Sequence, residues 1–313
     1  MRARAAAGKA LPAPPVWHGV AAVSLNRDAG LDRTIAAVVK NCRDHWRANV
    51  AAAADGGDPE GIHQVRVALR RLRSALGLFK HHIPRAQRTV LAQEAKWLLG
   101  ELGAVRDLDV FINVLAADFT PRVARDEGFA HLIRHARLRR DAAQASAASA
   151  LSSARARRFA ARLDTWLEGH GWCSEKTAAD AADFARHALN RRLRKIKGAA
   201  AGIAKLPVPE RHELRIAVKK ARYGIEFFHD LLPQKHAQRW ATALKYVQDS
   251  LGHMNDLDVA ERTIERLAGP PAEANRRLAD AARDIRRMHK KAARDAEPYI
   301  RKKCKRLARI ALF

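Results

Sequence analysis

One patterned segment occurs twice in this chain, and its recurrence limits the fold more than any other feature. His63-Gln64-Val65-Arg66-Val67-Ala68-Leu69-Arg70-Arg71-Leu72-Arg73 returns as His212-Glu213-Leu214-Arg215-Ile216-Ala217-Val218-Lys219-Lys220-Ala221-Arg222, a shift of 149 positions. The same shift carries Phe79 onto Phe228 and Pro84 onto Pro233. It also carries Leu102-Gly103-Ala104-Val105-Arg106-Asp107-Leu108-Asp109-Val110 onto Leu251-Gly252-His253-Met254-Asn255-Asp256-Leu257-Asp258-Val259. A register kept without a gap across both motifs implies two units of one design, since each repeat must bury the same faces in the same order.

Those units read as helical. Alanine, leucine and arginine dominate, and all three are strong helix formers. No sustained apolar/polar alternation and no Asn-Gly or Asp-Gly hairpin signal is found. The predicted helices cover roughly 31–54, 59–81, 85–100, 105–116, 126–168 (with a break near 150), 175–197, 209–231, 234–249, 255–267 and 272–308. Gly56-Gly57 ends the first, and Asp58-Pro59-Glu60 supplies an N-cap, a proline at the first position and an acid for the helix dipole. Residues 1–30 read as a flexible Ala/Pro leader. The remainder, 31–310, divides into bundles at 31–168 and 175–310, with Gly169, Gly171 and Ser174 marking the joint. The expected class is all-α: two pseudo-symmetric four-helix bundles with a basic groove or pore between them.

Charge gives the repeat its meaning. The 313 residues carry 59 Lys plus Arg against 33 Asp plus Glu, a net +26. Such a surplus repels itself and is relieved by a polyanion. On a wheel of 100° per residue, His63, Arg66, Arg70 and Arg73 fall within about 80°, opposite Val65, Leu69, Leu72, Leu76 and Phe79. His212, Arg215, Lys219 and Arg222 do the same against Leu214, Val218, Ala221, Ile225 and Phe228, while Arg71 and Lys220 sit on the flanks. A solvated face also looks basic, but acids that would pair along these rows are almost missing, and like charges one turn apart destabilise a helix. Arginine forks suit phosphate oxygens bidentately, and cations one turn apart, about 5.4 Å, match an extended phosphate polymer better than one small anion. No GxGxxG or GxxxxGK[ST] loop is present to hold a mononucleotide.

Other residues leave two readings each. His63 and His212 either buttress the bundle or donate to phosphate. Asp107, Asp109, Asp256 and Asp258 either fix arginines or cap helices. Glu226, one turn beyond Arg222, reads as a salt-bridge orienter, and Tyr223 either packs or hydrogen-bonds an anion. Lys40, Arg43 and Arg47 share one face of the first helix, as a solvated face or as additional anion contacts. The clusters at 191–197 and 301–306 carry the same ambiguity, the second with the look of a nucleic-acid patch. Cys42, Cys173 and Cys304 are odd in number and widely spaced, which argues against a disulfide framework and against a zinc site. With no long apolar run, the expected setting is cytoplasmic, without metal, cofactor or membrane.

These motifs resemble the CHAD family, the histidine-containing α-helical domain. Its His-x-x-Arg-x-x-x-Arg/Lys-Arg/Lys-x-Arg helix matches 63–73 and 212–222, the second with the extension Arg222-Tyr223-Gly224-Ile225-Glu226, and its Leu-Gly-x-x-x-Asp-Leu-Asp segment matches 102–109 and 251–258. The resemblance implies two pseudo-symmetric bundles whose basic helices line a positive groove. It also implies non-enzymatic binding of inorganic polyphosphate, including at polyphosphate granules. Carried over, the contacts are His63, Arg66, Arg70, Arg71, Arg73, His212, Arg215, Lys219, Lys220 and Arg222. Ser74 and Gly77 stand where the second copy has Tyr223 and Glu226, so the halves need not bind equally. The Glu-x-Glu-x-Lys signature of the triphosphate-tunnel domains that accompany some relatives is absent, so no hydrolase activity is inherited. The rival readings are a nucleic-acid binder, for which stacking aromatics are not interleaved with the basic rows, and a metal-dependent phosphohydrolase, for which no nucleophile–base pair or ligand triad is visible.

Overall fold

The computed structural model describes residues 14–115, 127–172, 180–203, 206–268 and 276–313. Among them are ten α-helices and no strand. In chain order they are α1 (Leu31–Asp55), α2 (Pro59–Leu78), α3 (Arg85–Glu101), α4 (Gly103–Val110), α5 (Glu127–Ser152), α6 (Ala154–Glu168), α7 (Ala181–Ala201), α8 (Val208–Phe227), α9 (Gln234–Ala268) and α10 (Arg276–Ala308). The helix limits keep the sequence shift: α2 and α8 begin and end 149 positions apart, and α3 and α9 begin 149 apart.

The second half is a ring of four rods, α7 on α8, α8 on α9, α9 on α10 and α10 back on α7. The first half has the same plan with two rods broken. α3 gives way to α4 at Leu102, between Gly100 and Gly103, and α5 gives way to α6 at Ser153. Ser153 starts the new helix by accepting from the Ala156 backbone N–H at 3.1 Å. The expected break near 250 in the second half does not occur, and α9 runs through it. Only Gly252 remains there in place of the paired glycines, and one glycine weakens a helix by only about 1 kcal/mol.

α1 packs on α2 along Ile35, Val38, Val39, Cys42 and Trp46, all buried. Gly56 makes the reversal between them at φ 75°, in the left-handed region. Asp58 then caps α2, accepting from the Glu60 backbone N–H at 2.8 Å with Pro59 at the first position. Gly61 lets the two helices approach: a Cβ there would lie 2.6 Å from the Ala52 carbonyl carbon. That obstacle is backbone and cannot rotate away. Gly61→Ala is therefore expected to destabilise the fold by about 2 kcal/mol, although alanine is the better helix former by about 1 kcal/mol. A urea midpoint equal to or above that of the parent chain would contradict this.

Where the halves meet, α2 lies against α8. Phe79 and Phe228, which correspond under the 149-residue shift, touch edge to face with centroids 6.0 Å apart, and Phe184 lies 5.6 Å from Phe79 and 6.1 Å from Phe228.

The leader behaves differently from its composition. Residues 1–13 lie outside the described residues, but 14–30 are docked. The His18 backbone N–H donates to Asn49 Oδ1 at 2.8 Å, Asn41 Nδ2 donates to the Ala21 carbonyl at 3.0 Å, and the Leu25 N–H donates to Asp230 Oδ2 at 3.0 Å. Asn41 and Asn49 belong to the first half and Asp230 to the second, so this extended segment ties the two together. Its backbone groups find side-chain amides and a carboxylate in place of water, which an Ala/Pro composition gives no sign of.

Candidate functional site: a cationic cleft between the halves

α2 and α8 each turn an apolar spine into their own bundle. Val65, Leu69, Leu72 and Leu76 are buried on α2, and Leu214, Val218, Ala221 and Ile225 on α8. The opposite edges face one another across a cavity of 640 Å³. α2 contributes His63, Arg66 and Arg70 to its wall, and α8 contributes His212, Arg215, Lys219 and Arg222. α4 adds Arg106 and Asp107, and α9 adds Gln248, Asp249 and Arg262. Seven cations thus share a wall with two carboxylates.

The cations are held at a cost. Arg66 donates from Nη1 to the Leu99 carbonyl at 2.6 Å, which fixes its plane. Burial, with Arg70 and Arg106 nearby and Asp107 opposing them, lowers its pKa to about 10, so it stays charged at neutral pH. The Nε–H groups of Arg66 and Arg70 are buried with no protein acceptor, donors that an anion's oxygens can satisfy. His63 is pushed down to about 3, first by burial and then by Arg106, Arg70, Arg66 and Lys219. At neutral pH it is therefore a neutral imidazole among cations. Because the folded state resists its protonation, stability is full above the ordinary histidine pKa near 6.5 and declines as the pH falls from there toward 3.

Several residues expected in the site lie elsewhere. Arg71 is 1% exposed and points between the halves. It pairs with Glu226, donates to Asn41 Oδ1 at 3.2 Å and lies 4.7 Å from the centroid of the Phe227 ring. It cannot reach an anion in the cleft without abandoning a buried ion pair. Arg73 and Lys220 are exposed and do not line the cavity. Lys220 lies on the flank of its helix, whereas Arg73 shares the arc of Arg66 and still falls outside the cavity. Arg222 is held at the wall by a partner that Arg73 lacks: Glu226 Oε1 lies 3.1 Å from its Nε, whereas Arg73 has only Gly77 four residues on. Glu226 thus bridges one buried arginine and one cleft arginine.

Lys40, Arg43 and Arg47 do not line the cleft either. Lys40 pairs with Asp44 at 2.7 Å, Arg43 with Asp44 and with Asp164 at 3.1 Å, and Arg47 with Asp164. Arg43 and Arg47 thereby clamp α1 to α6, and a wheel of α1 alone cannot see Asp164 on the other helix. Tyr223 is 5% exposed and packs at the cleft wall. Asp107 lines the cleft, 3.6 Å from Arg266, while Asp109 is buried against Arg140 at 3.0 Å. The side chains of Asp256 and Asp258 lie outside the described residues, as does Cys173. Arg106 and Arg262 were missed as site residues: the shift maps them on Asn255 and Asn113, so repetition gives neither any emphasis. No group of three or more His, Cys, Asp or Glu that could hold a metal occurs among the described residues.

With this geometry in place, the relatives become informative. The profile of the CHAD domain matches residues 37–265. The chain belongs to the CHAD domain family. The crystal structure of the CHAD domain from the plant Ricinus communis is 32% identical, with a TM-score of 0.80 over 93% of this chain and 96% of that one. PptA from Streptomyces chartreusis is 18% identical, with a TM-score of 0.66 over 87% of this chain and 99% of that one, and so bears on the fold alone. No curated protein matches the chain. CHAD domains are associated with polyphosphate binding. Among the described residues of this one, no helix is long and apolar enough to cross a membrane.

Proposed function

We propose that this CHAD domain binds inorganic polyphosphate, without catalysing its breakdown, in the cleft between α2 and α8. One observation carries the reading: the facing rows of both sequence repeats, His63, Arg66 and Arg70 with His212, Arg215, Lys219 and Arg222, line a single cavity. Two rows of cations on opposite walls suit a polymer with charge on every side and no need for sequence. Arg106 and Arg262 extend the contact set, Glu226 orients Arg222, and Asp107 offsets part of the positive charge around Arg66. The same chemistry places the protein wherever the polymer accumulates, polyphosphate granules included. Affinity derives mainly from counterion release, so the logarithm of the binding constant should fall linearly with the logarithm of salt concentration, by roughly 0.7 per phosphate contacted if polyphosphate behaves as single-stranded nucleic acid does. Titration calorimetry across a salt series tests this, and a flat series would refute it. Phosphate release on adding Mg²⁺ or Mn²⁺ would instead establish a hydrolase.

His63 supplies a second test. A polyanion in the cleft reverses the sign of its surroundings and raises its pKa, so binding takes up a proton. Affinity should rise as the pH falls from about 7 toward 5, where a histidine can charge, and His63→Gln should flatten that part of the profile. An unchanged profile in the variant would show that His63 only packs.

A further inference from the structure

The basic cluster at 301–306 has no place in the cleft, and the fold sets part of it beside a second cavity of 610 Å³ on the outer face between α9 and α10. α9 presents Lys235, Arg239, Thr242 and Tyr246, spaced by four, three and four residues along one ridge. From the α10 side come Lys303 and Arg306, with Arg309 just past the helix end. None of these five cations pairs with a carboxylate among the described residues. The nearest acids in sequence, Asp230, Asp249 and Glu297, are engaged by the Leu25 N–H and His229, by Lys245 and by Arg301. α9 thus carries cations on two edges, one toward the central cleft and one outward.

What separates the outer groove from the cleft is its aromatic content. Tyr246, which lines the groove, is 44% exposed and Tyr299, beside it on α10, 52%, whereas Tyr223 at the cleft is 5% exposed. Lys303 Nζ stands 4.0 Å from the centroid of Tyr246 and 4.9 Å from that of Tyr299, so the two rings bracket one ammonium group. Exposed rings add nothing to an inorganic phosphate chain, which has no face to lay on them. They do add to a polyanion whose phosphates alternate with planar bases, because base–aromatic stacking is tolerant of sequence and cations follow the backbone. A duplex keeps its bases stacked on each other, so the matching ligand is single-stranded.

We propose that the groove between α9 and α10 is a second polyanion site, for single-stranded nucleic acid, with Tyr246 and Tyr299 as stacking platforms and Lys235, Arg239, Arg306 and Arg309 as phosphate contacts. This does not rest on the assignment of the cleft. The test is fluorescence anisotropy of a labelled single-stranded oligothymidylate with the full chain, beside calorimetry with inorganic polyphosphate. Tyr246→Ser combined with Tyr299→Ser is expected to weaken oligonucleotide binding by about tenfold or more and leave polyphosphate affinity unchanged. Arg239→Gln with Arg306→Gln should weaken oligonucleotide binding and flatten its salt dependence. All four side chains lie at the surface, and unchanged circular dichroism secures the comparison. Oligonucleotide affinity unmoved by loss of both rings would mean that the +26 chain attracts any polyanion, and would overturn the proposal. So would failure of the parent chain to bind the oligonucleotide, or a parallel loss of polyphosphate affinity.

Discussion

Replacing Arg66, Arg70 and Arg215 by glutamine and Lys219 by methionine in one chain should weaken polyphosphate binding by at least about a thousandfold, or roughly 4 kcal/mol. Hydrogen bonds to charged groups are worth about 1.5–3 kcal/mol each, and groups sharing one cleft are not additive, which sets the figure below the simple sum. Helicity should survive. Arg66 and His63 lie on a wall where burial and the neighbouring cations already oppose positive charge, as their lowered pKa values show. Removing like charges from that wall relieves strain, so the thermal midpoint is expected to hold or rise while affinity collapses. A site that stabilises the fold and binds nothing would give the reverse, with lower stability and unaltered affinity.

The second large effect falls on stability. Glu226→Gln leaves Arg71, 1% exposed, without its carboxylate. Breaking a buried ion pair from one side typically costs about 3–5 kcal/mol. Glu226 is itself 37% exposed, which places this case at the low end, about 3 kcal/mol. The amide oxygen can still accept one hydrogen bond but cannot neutralise the guanidinium, and the Phe227 ring is a weaker counterpart. Because Arg71 is on α2 and Glu226 on α8, the loss should appear as cooperative loosening of the interface between the halves. Denaturant unfolding would show a lower midpoint, and binding would weaken as well, since Arg222 loses the same partner. Replacing Arg71 by Met in the Glu226→Gln background should recover stability by removing the orphaned charge. An unchanged midpoint in the single variant would show that the pair contributes nothing.

The helical register legible in the amino-acid sequence came from local physics. Asp58-Pro59 and Gly56 set the start of α2 and the end of α1, and the wheel of α2 placed His63, Arg66 and Arg70 on one edge because side chains three and four apart share a face. What lay outside that reading is what depends on a second element. Arg71 differs from Arg70 by one position on the wheel, yet the approach of α8, with Glu226 and Phe227, turns it from a surface cation into a buried one. Arg43 and Arg47 looked free until α6 brought Asp164 alongside. Arg106 enters the cleft because α4 folds across it, and its repeat counterpart Asn255 carries no charge to draw notice. The docking of 14–30 is hidden from composition for the same reason, since its partners Asn41, Asn49 and Asp230 are remote in sequence.

The most direct trial of the central claim is a crystal of the full chain grown with a short linear polyphosphate. Phosphate density running between Arg66 and Arg70 on one wall and Arg215 and Lys219 on the other is the predicted result. Phosphate confined to the outer surfaces, with the cavity between α2 and α8 holding none, would contradict it.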